Sequence, residues 1–116
     1  MMKRRLGVVA ASVAAVLAFG AAPAYAANEV NFVECFFVGG YLVFGGHNSN
    51  GTGFRRCFAN AGDLNVDFGG IDNYTSGNNA GYFEYEPGDG WRYRHTFPKG
   101  ENITQNFGEI VSIHIN

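Results

Sequence analysis

Cys57-Phe-Ala-Asn-Ala-Gly62 and Tyr74-Thr-Ser-Gly-Asn-Asn79 are the two stretches on which the reading of this chain turns. The first carries one of only two cysteines, and the second is a polar turn between two strand-like segments. Between them Leu64, Val66 and Phe68 alternate with Asn65 and Asp67. That is the period-two pattern of a strand with one buried face. Together they point to an all-β, disulfide-linked, exported protein, and neither spells out a reaction.

The chain opens on Lys3, Arg4 and Arg5, runs apolar from Leu6 to Gly20 and reaches Ala24-Tyr-Ala26. A charged start, an apolar centre and a small-x-small end make a secretory signal peptide over residues 1–26. The run is short and alanine-rich for a membrane anchor. No second apolar run follows, so no membrane span is expected after cleavage. Residues 27–116 then form one small domain. Removing the three basic residues of the leader leaves five basic against ten acidic residues, a formal charge of −5. Binding to a phosphate backbone needs clustered Lys and Arg, so no nucleic-acid partner is expected. Cys35 and Cys57 both lie in the exported part, and two cysteines in such a domain most simply form one bridge. A catalytic thiol or half of a metal site are the rival readings, and neither has a CxxC pair or a neighbouring histidine.

Helix formers are scarce, and short apolar runs are broken by Gly, Asn and Asp, the pattern of a β-sandwich or barrel. Val30–Phe37 is expected as a strand covered on both faces, turning at Gly39-Gly40 into a hairpin with Tyr41–Phe44. Gly45–Gly53 is expected as a surface loop, Phe54–Phe58 as a third strand, and Gly69-Gly70 as the end of the next. Ile71–Asn79 is expected as a polar arch. Gly81–Glu86 and Trp91–Phe97 predict a hairpin. A register that sets aromatic against aromatic sets Glu84 against Arg92 or Arg94. It requires an odd loop, either Pro87–Asp89 or five residues ending at Trp91. Pro98–Gly108 is expected as loop, and Val111, Ile113 and Ile115 as the core face of a last strand. The order of elements divides near Tyr74 into two halves of similar plan, expected to pack as two Greek keys in one sandwich.

At Cys57-Phe58-Ala59-Asn60-Ala61-Gly62 and Ser76-Gly77-Asn78-Asn79 the chain resembles the Streptomyces killer-toxin-like proteins, a secreted bacterial group with a βγ-crystallin fold. The closing Val111-Ser-Ile-His-Ile115 strand looks similar as well, and the resemblance covers about Asn31 to Asn116. It implies a single two-Greek-key βγ-crystallin domain that is exported, is not an enzyme and has a cytotoxic or antifungal role. Inhibitors of secreted metalloproteinases share the fold and supply a rival, with Gly45–Gly53 and Pro98–Asn106 as their candidate loops. Many βγ-crystallin domains hold calcium in an arch, which Ile71-Asp-Asn-Tyr-Thr-Ser76 fits at Asp72, Thr75 and Ser76. Ile71 replaces a polar residue there, and a second arch at Gly108–Ile113 keeps only Glu109 and Ser112. Calcium takes six to eight oxygens, so tight binding is not expected and a calcium-stabilised structural module is the third reading. No other cofactor is expected. Where these side chains hold no ion, they cap the arch by bonding its backbone.

His47, His95 and His114 share no ligand spacing with one another or with acids, and no HExxH, GxSxG or phosphate loop is present. Glu84 and Glu86 stand on one strand face as a glycosidase pair would, but Arg92 and Arg94 nearby make an ion-pair lattice the plainer reading. Aromatics are 16% of the chain. Some of them are expected to fill the core and some to form an exposed patch for a cell-surface glycan or protein. The expected state is a monomer.

Overall fold

The computed structural model describes residues 26–116. The signal peptide expected over residues 1–26 therefore lies, but for Ala26, outside the described residues. Seven strands and one short helix follow in the order β1 (Asn28–Val30), α1 (Phe32–Phe37), β2 (Leu42–His47), β3 (Gly53–Ala59), β4 (Gly62–Thr75), β5 (Gly81–Glu86), β6 (Tyr93–Phe97) and β7 (Asn102–Ile115). All pairings are antiparallel, in the order β1-β3-β2-β4-β7-β5-β6. About the β4/β7 seam this order is a mirror repeat. The hairpin β2–β3 with the long strand β4 answers the hairpin β5–β6 with the long strand β7.

The sheet folds over on itself. On a flat sheet β2 and β5 would lie three strand spacings apart, roughly 14 Å. Yet the rings of Phe44 on β2 and Phe83 on β5 meet edge to face with centroids 5.0 Å apart. The fold is made by the two 14-residue strands. The end of β4 pairs with β2 and with the start of β7, while its beginning pairs with the end of β7. Register shifts at Phe68 and Ile71 bend β4 between the layers. Gly70 (φ 76°) and Gly108 (φ 71°) supply the left-handed backbone that such bulges need.

The principal core joins Leu42, Phe44, Phe58, Phe68, Ile71, Tyr74, Phe83, Phe97, Phe107, Ile110, Ile113 and Ile115. Five of its pairs are related by the repeat: Phe44 and Phe83, Phe58 and Phe97, Phe68 and Phe107, Ile71 and Ile110, Tyr74 and Ile113. In each pair the second member stands 39 positions after the first. A smaller cluster of Val30, Cys35 and Cys57, with Tyr41 and Val43 against it, lies on the outer face of the first layer.

Several expectations are corrected. Phe32–Phe37 is a helix, not a strand, because Asn31 caps it: its side-chain oxygen accepts from the Glu34 N–H at 2.9 Å. The capping pattern Asn-x-x-Glu outweighs the β-branched and aromatic content of the run. The first hairpin is therefore β2–β3, and β1 pairs with β3 instead. The loop expected over Gly45–Gly53 shrinks to a turn at Asn48–Thr52, closed by Asn48 N–H to Thr52 O and Gly51 N–H to Asn48 O, both 2.8 Å. Gly69-Gly70 does not end its strand; β4 runs on through most of the expected arch to Thr75. Pro98–Gly108 is strand from Asn102, since the end of β4 supplies a partner for its alternating residues. In the last strand Ile110 takes the core place expected for Val111. The ladder steps from Glu84↔Ser112 to Tyr85↔Ile110, leaving Val111 unpaired in the bulge. The β5–β6 register sets Tyr85 against Tyr93 and Glu84 against Arg94, as the five-residue loop ending at Trp91 requires.

Candidate functional site

Helix α1 is tied to the outer face of β3 by the Cys35–Cys57 disulfide. Cys57 is fully buried and Cys35 nearly so. The rest of the helix faces away from the sheet, with Phe32 74%, Phe36 60% and Phe37 77% exposed. Phe32 and Phe36 lie one turn apart and stack at 6.1 Å, and Phe36 meets Phe37 edge-on at 5.1 Å. A small domain does not ordinarily leave such rings in water without a use for them.

Beside the helix the same outer face forms a trough of about 550 Å³. Strand register builds it in two rows. Arg55 on β3, Gly45 on β2, Asn73 on β4 and Thr104 on β7 stand opposite one another in turn. Cys57, Val43, Thr75 and Asn102 form the next row. Gly45 makes the low point, and a Cβ there would run into the Asn73 amide leaning over it. Arg55 lines the trough and also the two depressions that separate it from α1. Aromatic helix and polar trough are thus one continuous face.

The motif residues lie elsewhere and hold the frame. Phe58 is core and Ala59 packs on the outer cluster. Asn60 (φ 69°) takes a left-handed turn that asparagine tolerates, exposed Ala61 follows, and Gly62 opens β4 opposite Ile115. Ser76 is fully buried; its hydroxyl donates to Pro98 O at 2.6 Å and accepts from the Glu101 N–H at 2.8 Å. Gly77 (φ 59°) sits under the carbonyls of Gly40 and Tyr41. Asn78 N–H and the Asn79 amide both donate to Gly40 O at 3.0 Å. Together they pin the turn after β4 to the loops at 40 and 98–101.

Of the residues expected in a calcium arch, Asp72 and Ser76 hydrogen-bond to other groups of the chain. The Asp72 carboxylate accepts from His47 Nδ1 at 2.6 Å and from the Asn73 amide at 2.7 Å, and these bonds hold it below the usual carboxylate range. The Ser76 hydroxyl is spent on Pro98 and Glu101. Thr75 belongs to the trough, and Glu109 leans on Asp67, which pushes its carboxyl up. Among the described residues no group of three or more His, Cys, Asp or Glu could hold a metal ion.

Each histidine has an acid partner that sequence spacing did not show: His47 with Asp72 at 2.6 Å, His95 with Glu101 and His114 with Asp63, both at 2.7 Å. The Tyr74 phenol donates to the same Glu101 carboxylate and lies 3.0 Å from His95 Nε2. Burial, then Glu101, push that phenol well up, so it stays protonated and is no base. The Glu84 and Glu86 carboxylates accept from Arg94 and Arg92, the ion-pair lattice expected.

The Beta/Gamma crystallin family matches residues 44–108. Among solved structures, the antifungal protein from Streptomyces tendae Tu901, an NMR average structure, is similar at 28% identity and a TM-score of 0.61. The similarity covers 78% of this chain and 99% of that one. Comparison with curated proteins found no match.

Proposed function

The chain belongs to the beta/gamma crystallin family, and from that premise we propose that it is a secreted, non-catalytic protein of the killer-toxin-like kind that acts on fungi by binding a cell-surface target. The observation that carries this reading is the aromatic helix α1, held outward by the disulfide beside the trough. The antifungal name of the Streptomyces neighbour, at 28% identity, supports the biological class. A disulfide suits the oxidising side of a membrane. The groups that could have done chemistry are engaged with one another. Among the described residues the one hydroxyl hydrogen-bonded to a histidine is the Tyr74 phenol, itself held protonated.

Purified exported protein added to growing yeast and filamentous fungi should slow growth at low micromolar concentration. A variant with Phe36→Ser and Phe37→Ser, which empties the helix tip without touching the core, should lose that effect while keeping its fold. No inhibition by the wild type at high micromolar concentration contradicts the reading.

A further inference from the structure

We infer that the trough binds an oligosaccharide carrying carboxylate groups, with its acid on Arg55, its hydroxyls on the Asn73 and Thr104 row, and its ring faces against α1. The inference rests on the contact face proposed above and adds the chemistry of its ligand.

Charge selects the acid group. Arg56, Arg92 and Arg94 are each paired with a glutamate. Among the described residues Arg55 is the arginine without an ion pair. It stands exposed at the junction of the three depressions on this face. The two rows of the trough carry no carboxylate, although the exported part as a whole is acidic. A guanidinium with its fork unoccupied and no negative neighbour in its row fits a planar carboxylate on two parallel bonds.

The neighbours select a saccharide as the carrier. Both β2 and β4, the middle of the trough, are paired on each side, so a peptide could extend the sheet only at the rims, on β3 and β7. What the face offers are amide and hydroxyl side chains: Asn73, Thr104, Thr75 and Asn102, one strand spacing apart. The first row crosses three spacings, roughly 14 Å, a length for a short chain of sugar rings and not for a single small ion. Phe36 and Phe54 line the adjoining depression with Arg55, and apolar ring faces there can pack on the C–H faces of a sugar.

The test is an NMR titration of the ¹⁵N-labelled exported protein with tri-galacturonate, with the same trisaccharide as its full methyl ester, and with tri-glutamate. Tri-galacturonate is expected to shift the amides of Arg55, Asn73 and Thr104. Its affinity should fall about ten-fold or more on esterification or in Arg55→Gln, and stay unchanged in Lys99→Gln. Arg55 is exposed and unpaired, so its variant should fold, and the ester arm reports on the wild-type protein in any case. The inference is overturned if the ester binds as tightly as the acid, or if nothing binds at about 10 mM. It is also overturned if tri-glutamate binds through Arg55 while the saccharide does not, which would make the partner a protein. Saccharide binding without growth inhibition would remove the antifungal reading and leave this one standing; growth inhibition without saccharide binding would do the reverse.

Discussion

The phenol of Tyr74 and the carboxylate of Glu101, 27 residues apart, share a hydrogen bond at the edge of the core, and His95 Nε2 reaches the same carboxylate oxygen at 2.7 Å. The bond holds the Glu101 carboxyl below the usual carboxylate range, with His95 second. A lowered folded-state value means that this contribution is complete above the ordinary Glu value of about 4.3 and is lost as pH falls through the folded-state value. Tyr74→Phe should therefore cost about 2 kcal/mol at pH 7, and the gap to wild type should narrow below about pH 4. Urea unfolding at pH 7 and pH 3 measures both, and a gap independent of pH contradicts the assignment.

Two glycines should respond in opposite ways to alanine. Gly77 combines φ 59° with a site under the backbone carbonyls of Gly40 and Tyr41, where no flexible side chain can yield. Gly77→Ala should destabilise by more than about 1 kcal/mol. Gly69 has open space at its Cβ position and no left-handed φ. Gly69→Ala should be neutral or stabilise by about 0.4–1 kcal/mol through the unfolded chain. Paired denaturation curves decide it.

Phe44 and Phe83 hold the two layers together where the repeat meets itself. A double-mutant cycle of Phe44→Leu and Phe83→Leu should return a coupling of about 0.5–1.5 kcal/mol. Additive effects would mean that the layers are not joined through this pair.

The bridge between Cys35 and Cys57 closes a separation of 22 residues. Replacing both with serine should cost about 3 kcal/mol. Hydrogen exchange should show where the loss falls. The amides of Cys35 and Val38, which close α1, should lose protection long before those of β4 and β7.

Much of the frame was legible in residues. Leu64, Val66 and Phe68 announced their strand, and alternation set Glu84 opposite Arg92 or Arg94, of which the register takes Arg94. The bulged strands were not, because a bulge breaks the period on which such a reading depends; Val111 was mistaken for Ile110 on that account. The 39-residue spacing of Phe44, Phe58, Phe68, Ile71 and Tyr74 with their partners was present in the sequence and is the signal that would have placed Phe107 and Ile110 in the core. The candidate site was least visible. Asn31 and Glu34 carried the signature of a helix cap, but the surrounding apolar run masked it. The trough, by contrast, exists only through register: nothing along the chain sets Arg55 beside Asn73 and Thr104 until β2 and β4 pair.

Depletion of labelled protein from solution by whole fungal cells, measured for wild type beside the Phe36→Ser and Phe37→Ser variant, tests the contact face most directly. Saturable uptake of the wild type that falls at least ten-fold in a variant with an unchanged circular-dichroism spectrum is the predicted result. Equal uptake of the two proteins would mean that α1 is not what meets the cell.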